Sequence, residues 1–247
     1  MITPGVISYN SAVPENIGNF ERTDPFSVEC WFYPTATATQ PKALFSHIGT
    51  TLKHRGWIVA ANINRTASNS QISCAMISDE TANNYFNTFT TVGTINCPIN
   101  NWHHIIVTYN GNSLVSGLKC YFNNVLKNFS VIVKNTLTDT IKDDTVKLNI
   151  GSGAIYPYAP GKFDEVVIYN RVLSAAEVSQ RYNAGIGTET LFGSAYLQYH
   201  LNEVSGSDVI DSSGNGRNAI TINSPLRVSG KLNNCIQLNG SSQYITT

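Results

Sequence analysis

The chain has 247 residues, 42% of them hydrophobic and only 13% charged, and its 16 Lys and Arg cancel its 16 Asp and Glu. Without clustered basic residues it carries no electrostatic footprint for nucleic acid or an anionic membrane. The apolar share is large enough to fill a core, so low charge does not mean disorder.

Asn, Ser and Thr take the place of charge, at 28, 23 and 23 residues, together with 12 Tyr. Uncharged polar residues with Thr and Tyr suit the faces and turns of antiparallel sheets, and an all-β fold follows from composition. The length matches one large sandwich, which runs to roughly 200–250 residues as a single domain. Met1-Ile-Thr-Pro-Gly5 has neither the charged nor the apolar region of a secretory signal. No apolar stretch reaches the ~18 residues of a membrane span, so membrane insertion is not expected. Cys30, Cys74, Cys97, Cys120 and Cys235 are odd in number and lack C-x-x-C spacing. They read as buried free thiols, in keeping with folding in a reducing cytoplasm.

Period-two alternation runs along the chain. In Phe26–Tyr33, Phe26, Val28, Cys30 and Phe32 share one face and Glu29, Trp31 and Tyr33 the other, before Pro34 ends the strand. Residues 57–63, 71–77, 105–109, 118–122, 146–150, 163–169 and 235–238 read as further strands. Asn110-Gly111 opens a turn longer than two residues, and Asn123-Asn124 reads as a two-residue hairpin. One segment is predicted helical: Ser174-Ala-Ala-Glu177 is a capping box, and Leu173, Val178 and Tyr182 form an apolar stripe, placing a short helix near 174–183.

Three stretches, Phe26–Pro34, Asn101–Gly111 and Gly161–Val178, resemble in order and spacing the signatures of laminin G-like, concanavalin A-like jelly-roll domains. The resemblance covers about residues 20–185 and implies two antiparallel sheets. Residues 195–206, 211–218 and 230–245 resemble the way such a domain begins, yet they follow its end. Three parts are therefore expected: an arm over 1–14, the main jelly roll over 15–190, and strands over 191–247. Those last strands are expected either to complete the same sandwich, as in a circular permutation, or to swap into a neighbouring subunit, because unpaired edges are costly. Val6–Tyr9 weakly echoes Gln243–Ile245, which makes it a candidate vestigial first strand.

Relatives by this resemblance include glycosidases, whose retaining members need two carboxylates about 5–5.5 Å apart. The usual Glu-x-Asp-x-Glu pattern is missing. Asp164 and Glu165 are adjacent, and simple alternation sends them to opposite faces, which leaves Glu29 with a distant partner as the residual candidate. Enzymatic activity is not expected. His103 and His104 alternate likewise, one predicted inside and one solvated, as packing groups. The turn Asp211–Gly216 offers carboxylate, hydroxyl, amide and backbone oxygens, the hard donors Ca²⁺ prefers. By the resemblance Asp164, Asp211, Asn215 and Glu203 become the candidate calcium ligands, and an ion-free Asx-turn is the alternative. Trp31, Tyr33, Trp57, Tyr85 and Phe86 are candidates for stacking on sugar rings from the concave sheet; the alternative has them packed in a second layer or beneath the tail.

The functional expectation is a non-enzymatic phage virion surface component, a head-decoration, head-fibre or tail-fibre protein made in a host cytoplasm. Its partners would be other virion proteins or copies of itself, with cell-surface glycans as a further ligand. The alternative is a carbohydrate-binding module or lectin-like adhesin at an extracellular surface, and a sugar hydrolase stands third.

Overall fold

A computed structural model describes residues 16–63, 70–191 and 193–247. The arm expected over residues 1–14, with its vestigial strand, lies outside the described residues. Numbered in chain order, the strands are β1 (Phe26–Pro34), β2 (Lys42–Ile48), β3 (Gly56–Asn62), β4 (Gln71–Asp79), β5 (Asn84–Thr90) and β6 (His103–Tyr109). Then come β7 (Leu118–Phe122), β8 (Val125–Lys127), β9 (Phe129–Asn135), β10 (Asn149–Ile150) and β11 (Pro160–Tyr169), followed by the helix α1 (Ala175–Tyr182). The tail adds β12 (Leu197–Tyr199), β13 (Asp208–Val209), β14 (Ala219–Ile222), β15 (Leu226–Ser229), β16 (Asn234–Asn239) and β17 (Tyr244–Thr246). Among the described residues no helix is long and apolar enough to cross a membrane.

The strands form two antiparallel sheets. One runs β15-β16-β11-β1-β6-β7-β8, with β12 also on β11; the other runs β13-β14-β17-β10-β2-β3-β4-β5-β9. Residues after 195 thus pair within the chain. β16 and β12 lie along the edge of β11 that β1 leaves open, and β17 lies along β10 and carries β14. The inward positions of β1 (Phe26, Val28, Cys30, Phe32) meet Phe45, Trp57, Val59, Phe86, Phe163 and Tyr199 in a single core between the sheets. All five cysteines are buried and unpaired, and burial pushes the Cys97, Cys120 and Cys235 thiols up to about 12.

Local chemistry explains most element boundaries. Asn123 and Asn124 both adopt positive φ, 49° and 65°, which closes the β7–β8 hairpin in two residues. The strand predicted over 146–150 shrinks to β10 because the Asp143 carboxylate accepts the Thr145 N–H at 3.0 Å and its carbonyl accepts the Val146 N–H, holding that stretch in a turn.

α1 begins on the predicted capping box. Ser174 Oγ accepts the Glu177 N–H, and Glu177 accepts the Ser174 N–H at 2.9 Å. The hydrogen bond from Arg171, at 2.7 Å, is the main reason the Glu177 carboxyl is held down to about 2. Ser174→Ala is expected to cost about 1 kcal/mol in urea denaturation at neutral pH. A depressed carboxyl stabilises above its unfolded value of 4.5 and ceases to do so as pH falls toward about 2. The stability that wild type draws from Glu177 should therefore fade across that range.

Two expectations from alternation fail on the outer side of the first sheet. The β1–β11 register shifts between Glu29 and Trp31, and opposite the shift Glu165 takes a φ of 47°. This β-bulge lets both Phe163 and Val166 enter the core. Asp164, paired with outward Trp31, and Glu165, beside Arg181, consequently turn to the same outer side instead of opposite faces. His104 does point away from the core, but it is not solvated: α1 and Trp31 cover it, and it is fully buried like its neighbour His103.

Candidate functional site

The outer face of the nine-stranded sheet carries an unusual collection of side chains. Trp57, Val59 and Ala61 of β3 and Ile72, Cys74 and Met76 of β4 point into the core. Alternation therefore sends Ile58, Ala60 and Asn62 of β3, Ser73, Ala75 and Ile77 of β4, and Tyr85 and Asn87 of β5 to the other side. Register places Ala60 opposite Ser73 and Ala75 opposite Asn87, so two methyl groups form a low floor between polar side chains. Asn62 Oδ1, Ser73 Oγ and Asn87 Oδ1 are all buried and make no hydrogen bond. An unpaired buried acceptor costs about 1–3 kcal/mol, and three on one face of one sheet call for a partner.

The loop between β10 and β11 forms a wall of this site. Gly151 N–H donates to Leu44 O at 3.0 Å and Ala43 N–H to Pro157 O at 3.1 Å, pinning both ends of the loop to β2. A Cβ on Gly153 would come within 2.6 Å of Ile58 Cδ1, so only glycine lets the loop lie this close to the sheet. The loop packs Ile155 and Tyr156, as β5 packs Tyr85, against the cluster of Ala43, Ile48, Ile58, Ala75 and Ile77, and it sets Tyr158 beside Tyr244 with ring centroids 6.0 Å apart. Burial pushes the Tyr156 hydroxyl up, and the Asn87 and Ser73 side chains beside it pull the other way.

Of the aromatic residues picked from the sequence, Tyr85 lies on this face. Trp57 is in the core, its Nε1–H donating to Gly18 O at 2.7 Å, and Phe86 is equally enclosed. Trp31 is on the other sheet, stacked on Tyr182 at 5.9 Å with Lys231 Nζ 4.5 Å from its ring centre, so both its faces are in use. Tyr33 packs edge-on to Trp102 beneath Lys162. A cleft of about 500 Å³ lies beside Tyr196 at the rim, but Arg217 covers that ring at 4.0 Å and Phe20 packs on it at 5.4 Å. The sequence reading passed over Asn62, Ser73, Asn87 and Tyr156. The small and amide residues at alternate positions of 58–62, 73–77 and 85–87 were the available signal.

The proposed calcium ligands do not gather. Asp211 accepts from Gln198 N, Ser213 N, Ser213 Oγ and Arg217 N at 2.9–3.0 Å, an Asx-turn with every carboxylate lone pair engaged. The Asn215 amide donates to Ala195 O and Tyr196 O, and Glu203 is taken up by Ile210 N–H and Arg227. Asp164 is enclosed, accepting the N–H groups of Glu165, Lys231 and Leu232, and burial pushes its carboxyl up to about 8 against their pull. Among the described residues the carboxylates of Asp164, Asp211 and Glu203 form no three-ligand cluster.

The model of the concanavalin A-like lectin/glucanases superfamily matches residues 8–179. The chain belongs to that superfamily. No curated protein matches it. Among solved structures it resembles a putative carbohydrate binding protein from Bacteroides ovatus, with a TM-score of 0.50 and 17% identity over 79% of this chain and 51% of that one. It also resembles the CBM40 domain of a Ruminococcus gnavus IT-sialidase bound to α2,3-sialyllactose, with a TM-score of 0.46 and 11% identity over 63% and 80% of the two chains. The botulinum neurotoxin serotype G binding domain gives 0.44 and 17% over 92% and 59%. These are likenesses of fold, and the chain spans about half the length of the Bacteroides ovatus protein.

In this concanavalin A-like chain Glu29, the residual catalytic candidate, is out of reach of substrate. It is fully buried beneath α1, where Arg181 Nε donates to both its oxygens at 2.9 and 3.0 Å and His104 Nε2 lies 2.9 Å away. The Tyr169 hydroxyl adds a longer contact at 3.4 Å. A carboxylate held this way ties the helix to β1.

Proposed function

We propose that the chain is a non-catalytic carbohydrate-binding module that takes a neutral glycan on the outer face of its nine-stranded sheet. The observation that carries this reading is the pair of part-exposed tyrosines, Tyr85 and Tyr156, set with the part-exposed amides of Asn62 and Asn87 on one sheet face. Amide groups pair with sugar hydroxyls, and tyrosine rings suit the C–H faces of a pyranose. Amide oxygens would repel the carboxylate of an acidic sugar. Amide and hydroxyl oxygens also cannot serve as acid and nucleophile in glycoside hydrolysis, which needs a carboxyl pair. Membership of a lectin and glucanase superfamily supports the same reading. The virion-surface expectation rests on an Asn/Ser/Thr-rich surface, unpaired thiols and the possibility of strand swapping, none of which points to a ligand, and the glycan reading has the stronger structural footing.

A glycan array rich in neutral oligosaccharides, followed by calorimetry on the hits, tests this. Asn87→Ala and Tyr85→Ala are expected to weaken binding about tenfold each, the equivalent of one buried contact of ~1.4 kcal/mol. Ser73→Ala, at a fully buried position, is expected to leave binding unchanged while raising the stability of the free protein by roughly 1 kcal/mol. An array silent for neutral glycans, or hits that Asn87→Ala and Tyr85→Ala both bind unchanged, would sink the proposal.

A further inference from the structure

On the opposite sheet a second cluster has no part in the glycan face. Glu165 stands fully buried on the β11 bulge, His200 sits half-buried just past β12, and Glu189 lies exposed in the link between α1 and β12. His200 Nδ1 is 2.9 and 3.0 Å from the two Glu165 oxygens, and one ligand atom from each of the three residues falls within 4.8 Å of the others. Donors bound at ~2.0–2.2 Å to one zinc ion stand roughly 3–4 Å apart, so a small opening of the cluster would admit an ion.

Two further observations point to a ligand there. Glu189 is already oriented, because the Asn202 and Asn233 amides both donate to its Oε1, at 2.9 and 2.6 Å, as outer hydrogen bonds orient metal-binding carboxylates. Arg181, fully buried, directs an unpartnered Nη2 toward the cluster, 3.9 Å from Glu165 Oε2 and too far for a hydrogen bond. That donor needs an oxygen in the gap. Glu29, Glu165 and Glu189 outnumber Arg181 by two charges when His200 is neutral, the deficit that one divalent cation removes.

We propose that Glu165, Glu189 and His200 bind a single divalent transition-metal ion, zinc by its donor set, with a water ligand facing Arg181. The imidazole donor and the low oxygen count disfavour calcium and magnesium. Such an ion would cross-link β11, the link after α1 and the end of β12, stapling the tail to the body of the sandwich.

The test uses tag-free full-length protein stripped with chelator and titrated calorimetrically with zinc chloride at neutral pH. One equivalent is expected to bind and to raise the melting temperature, while calcium chloride at matched concentration gives neither heat nor shift. Glu189→Gln, a change at an exposed side chain, is expected to weaken zinc binding about tenfold or more with the metal-free melting temperature unchanged, and His200→Gln to abolish it. Absence of stoichiometric binding, undiminished binding in Glu189→Gln, or an equal response to calcium would overturn the proposal.

Discussion

Ending the chain at residue 194 is expected to abolish cooperative folding. The lost segment supplies Leu197, Tyr199, Leu201, Val209, Ile236, Leu238 and Ile245 to the shared core, each no more than 1% exposed. Full burial of such a side chain contributes about 1.5–3 kcal/mol. Seven of them match or exceed the ~5–15 kcal/mol net stability of a typical domain. Truncation also strips β11 of β12 and β16 and β10 of β17, exposing a strand edge in each sheet. The truncated chain should show no sigmoidal unfolding by circular dichroism, should bind hydrophobic dye and should aggregate. A monodisperse fragment that melts cooperatively would mean that the tail is an appendage and that the core closes without it.

The second large effect lies under the helix. Arg181→Met is expected to lower stability by about 3–5 kcal/mol, because removing one member of a buried ion pair leaves the other charge uncompensated. Burial alone would raise the Glu29 carboxyl, but the Arg181 guanidinium and His104 more than offset it and hold it below its ordinary value of 4.5. In the wild type, therefore, Glu29 stabilises above that value and ceases to do so as pH falls through its lowered one. In Arg181→Met His104 alone would oppose burial, the carboxyl would rise, and the folded state would take up a proton. The stability gap between the two proteins should be widest at neutral pH and narrow on acidification. Urea denaturation at pH 7 and pH 4 measures both. Adding Glu29→Gln to Arg181→Met should recover part of the loss. A cost under about 1 kcal/mol, or a gap independent of pH, would show that the pair is solvated rather than buried.

Much of this molecule was legible locally. Phe26–Pro34 alternates because a strand must bury every second side chain; Ser174 and Glu177 start α1 because they satisfy its free amides; and Asn123-Asn124 makes the hairpin because Asn tolerates positive φ. The signature stretches also carried the family. Alternation states only which residues share a face, however, and not what lies over that face. For that reason one of His103 and His104 is expected in solvent although both are buried, and Trp57, a candidate sugar platform, is core. The β11 bulge escaped as well, because an extra residue is set by pairing with β1 and leaves no mark in the composition of the strand.

The candidate site divides in the same way. Sequence by itself determined the two-sheet fold, the capped helix and the tail's need for a partner, since these follow from propensities, spacing and the cost of unpaired edges, all properties of neighbouring residues. Only the tertiary structure showed the tail strands lying along β10 and β11 and Asp164 and Glu165 turned to one side. It also decided that Asn62, Ser73 and Asn87 meet on one sheet face, and that Glu165, Glu189 and His200 meet on the other sheet. Those juxtapositions join residues far apart in the chain or shifted in register, and they are chosen by which packing of the whole sandwich buries the most apolar surface with the fewest unpaired groups.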